Sequence, residues 1–201
     1  MAVVHRTTMT PGKLELVASW LPSQAWYEGR PGRAPELMKA GGFRLDDPEG
    51  EVGIEFMVVT DTADAAAPVT YHVPLTYRGA PLPGGDAALV GTSEHGILGT
   101  RWVYDAAQDP VALAQLRALL RGEAVPQDQS ASDTPDPTVV VVAGEEGPEL
   151  TVARVLRADA PADAPADAPA DAPAGPGTHV TATWQDADGK PARAVFAALR
   201  T

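Results

Sequence analysis

The chain of 201 residues carries 27 acidic against 15 basic side chains, a formal net charge of −12, with an apolar fraction of 44%, enough for a packed core in one ordinary domain. That balance argues against general affinity for phosphate backbones or anionic membranes, since the lysines are only Lys13, Lys39 and Lys190 and the arginines are scattered singly. Cysteine is absent, which excludes disulfides, thiolate nucleophiles and Cys-ligated metals and fits a reducing compartment.

In chain order, Ala2–Thr8 has the β-branched character of a short first strand, and Thr10-Pro11-Gly12 punctuates it. A helix is expected over Pro11–Leu21: Thr10 is a candidate N-cap, Pro11 suits the first helical position, and Leu14, Val17, Ala18 and Leu21 recur on one face. Pro22 ends it. Gly41-Gly42 opens a sheet region with strands over Phe43–Asp46, Val52–Thr60 and Val69–Tyr77. In the third, Tyr71, Val73, Leu75 and Tyr77 alternate with Thr70, His72, Pro74 and Thr76, so one face is expected in the core. Pro74 cannot donate to a ladder and predicts an edge strand or a bulge.

Strands over Ala88–Thr92 and Thr100–Asp105 flank a loop through Gly96 and Gly99. Asp109-Pro110 reads as an N-cap with proline at the first helical position, and Leu113, Ala114, Leu116 and Leu120 give that helix an apolar stripe which Gly122 terminates. The polar, proline-containing stretch 125–137 reads as a linker between a unit at 1–124 and a β-rich extension at 138–201. Strand-like runs fall at Thr138–Ala143, Leu150–Leu156, His179–Trp184 and Ala192–Leu199, with Asp188-Gly189 as a hairpin signal. Four DAPA copies from Asp159 to Ala174 cannot bury apolar surface, so 159–177 is expected to be a disordered, solvated loop.

Few residues offer chemistry. Glu94 and His95 in a Gly-rich loop, with Asp105 after the next strand, make the nearest acid–base set for hydrolysis, and His72 would be needed for a metal. No HExxH, Walker A loop or GxGxxG after a strand is present, and the plainer reading of Ser93-Glu94-His95 is a loop bonded to its own backbone. Trp20, Trp26 and Tyr27 at the first helix end, with Trp102 and Tyr104 two apart on one strand, could line a ligand or partner surface together with His95. Core and helix-anchoring roles are the plainer reading of these rings. No cofactor is expected. The N-terminus MAVVHRTTMTPG lacks a charged region followed by a long apolar run, and Val139–Val142 is far too short to span a bilayer, so a cytoplasmic protein without a membrane segment is expected.

Several stretches carry a resemblance: WLPSQAWYEG from Trp20 to Gly29, GIEFMVVT, TYHVPLTY, and GTSEHGILGTRWVYDAAQDP before the second helix. From about His5 to Gly122 the chain resembles the N-terminal cap domain of maltokinases and stand-alone cap-like proteins. The resemblance implies an α+β fold, a curved antiparallel sheet packed on a helix in the cystatin manner. It also implies a link to α-glucan and trehalose metabolism. It covers the accessory part of the enzyme and not the kinase core. The core's catalytic loop needs a His with an Asp two positions on and a metal-binding Asn. Here His5, His72, His95 and His179 lack that Asp, and asparagine is absent altogether. Three readings follow in order: a non-catalytic module binding a protein partner such as a sugar-kinase-like core supplied in trans; a binder of a sugar or metabolite; and a hydrolase using Glu94, His95 and Asp105.

Overall fold

The computed structural model of the chain describes residues 8–30, 32–145, 147–157 and 177–200. Its elements run β1 (Met9–Thr10), α1 (Lys13–Trp20), β2 (Leu37–Leu45), β3 (Gly53–Asp61), β4 (Val69–Arg78), β5 (Leu89–His95), β6 (Gly99–Asp105), α2 (Pro110–Leu120) and β7 (Gln127–Asp128). They continue with β8 (Val140–Val142), β9 (Glu149–Val152), β10 (Val155–Leu156), β11 (His179–Gln185) and β12 (Pro191–Arg200). The fold is α+β, mostly antiparallel sheet with two short helices. The strand expected over Ala2–Thr8 falls almost entirely outside the described residues, as does the loop expected over 159–177, of which only Gly177 is described.

β3 pairs with β2 and β4, β2 meets β11 at Gly41 and Trp184, and β11 pairs with β12. β12 then pairs with β9, and β10, which follows β9 after Ala153 and Arg154, pairs with β4. The run 149–156 thus carries the pairings from β12 back to β4, through Ala153 N–H donating to Phe196 O and His72 N–H to Arg154 O, both at 2.9 Å. Beyond β4 the order is β6, β5, β1, which puts β1 at the edge among the described residues. Residues 125–137 contribute β7, which pairs with β2.

Two apolar cores lie on opposite faces of β3 and β4. Met57, Val59, Tyr71, Val73 and Leu75 face Leu16, Val17, Trp20 and Leu21 of the α1 region. Ile54, Phe56 and Val58 face Phe43, Trp184, Phe196 and the buried side of α2. Both faces of β4 are therefore covered, where one was expected. The polar Thr70-His72-Pro74-Thr76 face is tolerated because its groups find partners: Thr60 Oγ1 for Thr70 at 3.0 Å, Ala153 O for His72 at 2.9 Å, and Asp109 Oδ2 for Thr76 at 2.8 Å.

Pro74 sits in neither an edge strand nor a bulge. The β3–β4 register runs through Phe56↔Pro74 without a shift. On the other side of β4, β6 covers Leu75–Arg78 and β10 covers Thr70 and Tyr71. Proline's missing donor thus falls at the gap between two neighbouring strands, where no ladder bond is required.

α1 begins two residues later than expected, at Lys13 with Gly12 as N-cap. Thr10 is engaged by β5, opposite Glu94, and Pro11 O accepts from Ser93 Oγ at 2.7 Å, so the chain is still in the ladder where the helix was to start. Its buried face is Leu16, Val17 and Trp20, with Ala18 only partly covered. α2 starts as read: Asp109 is the N-cap and accepts from Val111 N–H at 3.0 Å, with Pro110 behind it. Its stripe is Ala112, Leu116, Leu119 and Leu120, whereas Ala114 faces solvent. Gly41 and Gly42 do not open β2 but lie inside it, after a register shift. Gly42 has φ +129°, and a Cβ there would collide with Phe56 O.

Candidate functional site

The turn after α1 gathers the first aromatic group. Pro22 stops the α-helix in a 3₁₀ turn, Leu21–Ser23, which carries the chain across β4. Trp26 then packs against Trp20 at 5.8 Å between ring centroids and against Tyr71 at 6.0 Å, while Tyr27 lies 5.6 Å from Tyr71. Tyr27 Oη donates to Asp61 Oδ2 at 3.0 Å, and burial first, then that carboxylate, push its pKa up to about 12. Glu28 N–H donates to Tyr71 Oη at 3.0 Å. Beside this group lies a cleft of about 230 Å³ between Tyr27–Arg30, Arg33 and the Asp61–Val69 turn.

The second aromatic pair is elsewhere. Trp102 and Tyr104 stand opposite Arg78 and Thr76, on the face of the sheet away from α1. Tyr104 is buried, and its hydroxyl accepts from Leu82 N–H at 2.9 Å. The sheet separates the two aromatic sets, so Trp20, Trp26 and Tyr27 share no surface with Trp102 and Tyr104.

Glu94 and His95 lie at the tip of the β5–β6 hairpin. His95 Nδ1 accepts from Ile97 and Leu98 N–H at 3.3 and 3.1 Å, and Glu94 Oε1 from Thr100 Oγ1 at 2.7 Å. Asp105 is at the other end of β6; His95 stands opposite Gly99, so the distance is about 20 Å at ~3.3 Å per residue. The acid–base set expected for a hydrolase is not assembled, because Glu94 and His95 lie at the tip of the β5–β6 hairpin and Asp105 at its far end. Among the described residues no group of three or more His, Cys, Asp or Glu is placed to hold a metal ion.

Four buried polar groups were not singled out from the sequence as linked sites. Glu55, 3% exposed at its side chain, accepts from Lys13 Nζ at 2.5 Å, Tyr77 Oη at 2.6 Å and Gln129 Nε2 at 2.7 Å. Burial alone would raise its pKa, but the Lys13 ammonium and the Tyr77 hydroxyl outweigh it and hold the carboxyl below its usual range. Arg78 forks onto Asp109 at 2.7 and 2.6 Å, and Arg154 onto Asp105 at 2.9 and 2.6 Å. The Arg154 guanidinium also lies 5.1 Å from the Trp26 ring centroid. His72 is fully buried, with a pKa lowered to about 3, chiefly by desolvation. The one available signal was a lone carboxylate, Glu55, inside the otherwise apolar run Val52–Val59.

These contacts tie strands to one another, and among the described residues they bring no nucleophile, base and open cleft together. Residues 20–109 match the family model of the maltokinase N-terminal cap domain, so that stretch is similar to such a cap. No solved structure matches the chain. The match spans α1's last residue through the α2 N-cap, and so includes Trp20, Trp26, Tyr27, Glu55, His72 and Asp105 but not Arg154. Among the described residues no helix is long and apolar enough to cross a membrane.

Proposed function

We propose that the chain acts as a non-catalytic cap-like module that binds or regulates a protein partner, a sugar-kinase-like core supplied in trans. The observation that carries this reading is the match to a maltokinase cap, in a chain whose sequence lacks the His-x-Asp pairing and asparagine of a kinase catalytic loop. In this reading 1–124 is the cystatin-type cap, with α1 on the β3–β4 face, and 138–201 is its extension. Its setting is the α-glucan and trehalose metabolism that the family name implies. A tagged pull-down from native extract tests it, with bound proteins identified and the eluate assayed for ATP-dependent sugar phosphorylation. Co-purification of a kinase-like protein in near-equal amount supports the reading, and its absence counts against it.

A second reading, a small-ligand site, is favoured by the cleft beside Tyr27. Tryptophan fluorescence tests it, since Trp26, which packs against Trp20, directly precedes Tyr27 of the cleft. An emission unchanged by glucose, maltose, trehalose and their phosphates removes its support.

A further inference from the structure

Two of the hydrogen bonds that join the C-terminal strands to β4 meet at one residue, His72. We propose that His72 is an acid-released latch: it holds the run 153–157 against β4, and its protonation opens that run while the remaining sheet stays folded.

Both hydrogen bonds of the residue go to the peptide pair between β9 and β10. Its N–H donates to Arg154 O at 2.9 Å and its Nδ1 to Ala153 O at 2.9 Å. A carbonyl only accepts, so Nδ1 carries the proton and Nε2 is left as the acceptor nitrogen. Nε2 is buried and has no hydrogen-bond partner among the described residues. The ring packs against Phe56, 5.9 Å between centroids, and Phe196, 4.6 Å.

A second proton would create an N–H with nothing to receive it and a charge in an apolar cage. β3 presents Phe56 and β12 presents Phe196, both apolar. The run itself presents Arg154, a like charge, whose guanidinium is held by Asp105. Burial is the main force keeping the ring neutral; the Ala153 carbonyl opposes it and Arg154 adds to it.

Opening is local because the run's hold on β4 is small. It comprises the two-residue ladder Val155↔Tyr71 and Leu156↔Thr70, the two bonds of His72, and the Arg154–Asp105 fork, while β9 and the Ala153 N–H stay bonded to β12. On its other side β4 keeps an unbroken ladder with β3, so releasing the run does not dissolve the strand.

Native-state hydrogen exchange of the full chain, expressed as protection factors to remove the intrinsic pH dependence of exchange, tests the latch. The amide of His72, bonded to Arg154 O, reports the run, and those of the β3 ladder at Phe56 and Val58 report the sheet. Between about pH 7.5 and about pH 5.5, protection at His72 is expected to fall about tenfold, because an exposed imidazole of pKa ~6.5 is then about nine-tenths protonated. Protection at Phe56 and Val58 stays constant. In His72→Asn, whose amide can donate to Ala153 O but does not titrate, the pH-dependent loss disappears. The latch is overturned by a loss shared equally between the run and β3, by no loss at about pH 5.5, or by the same loss in His72→Asn. If that variant does not fold, the pH course in the unmodified chain decides. A loss beginning near pH ~6.5 supports the latch, and one beginning only below about pH 5, where carboxylates titrate, overturns it.

Discussion

Arg154, in the short link between β9 and β10, closes a two-bond fork on Asp105 at the end of β6, Nη1 to Oδ1 at 2.9 Å and Nη2 to Oδ2 at 2.6 Å. Asp105 lies within the cap-matched stretch and Arg154 beyond it, so this pair fastens the C-terminal strands to the cap. Their side chains are 2% and 17% exposed, and removing one partner strands a charge out of water. Arg154→Met is expected to cost about 3 kcal/mol in urea unfolding. Adding Asp105→Asn is expected to restore part of it, because the stranded charge is then gone.

Glu55 gives the second prediction. Its carboxylate joins α1, β4 and the 125–137 segment through Lys13, Tyr77 and Gln129. Glu55→Gln places an amide NH₂ among these donors, and a loss of about 2 kcal/mol is expected from the charged hydrogen bonds. The same variant should expose the 125–137 segment to proteolysis before the rest of the chain, which limited digestion with mass mapping would show.

Acid stability follows from three buried groups whose signs agree. Glu55 and Asp109 have folded pKa values below their ordinary ones, so their contribution is complete above about pH 4.5 and is lost as pH falls further. For Asp109, burial opposes the shift, and the hydrogen bonds from Arg78 and Thr76 outweigh it. His72 is held neutral when folded, down to about 3, while its unfolded pKa is 6.5. Below that value only the unfolded chain takes up the proton, which costs at most about 1.4 kcal/mol per pH unit. The Tm is therefore expected to decline gently below about pH 6.5 and steeply below about pH 4.5, and calorimetry across that range checks it.

The phase of α2 gives the fourth. Leu116 is 2% exposed and enclosed by the core around Phe43 and Phe196, whereas Leu113 is only partly buried. Leu116→Ala is expected to cost about 3 kcal/mol and Leu113→Ala about 1 kcal/mol or less, compared by denaturant midpoints.

The α2 comparison also marks what could be read in advance. Asp109-Pro110 announces the start of α2 because a cap and a proline act within one turn, and the chain needs no distant partner to obey them. The start of α1 is decided elsewhere: β5 engages Thr10, and Pro11 O binds Ser93, a residue far along the chain. Pro74 misled for the same reason, since its tolerance depends on where β6 stops and β10 begins. Only one face of β4 is expected in the core from its alternation, yet the polar face is also covered, by Thr60, Asp109 and Ala153, partners that only the folded topology supplies. Of the candidate site, Trp20, Trp26 and Tyr27 do assemble because they are neighbours in sequence. Trp102, Tyr104 and His95 could not be grouped with them, because strand alternation reveals that residues share a face but not which face of the sheet it becomes.

The most direct measurement is light scattering behind size exclusion on the full chain mixed with the cap-deleted catalytic core of a maltokinase, with the rate of ATP-dependent maltose phosphorylation read on the same sample. A partner-directed cap module predicts one peak containing both chains in equal number and a rate different from that of the core alone. Two separate peaks and an unchanged rate would contradict it.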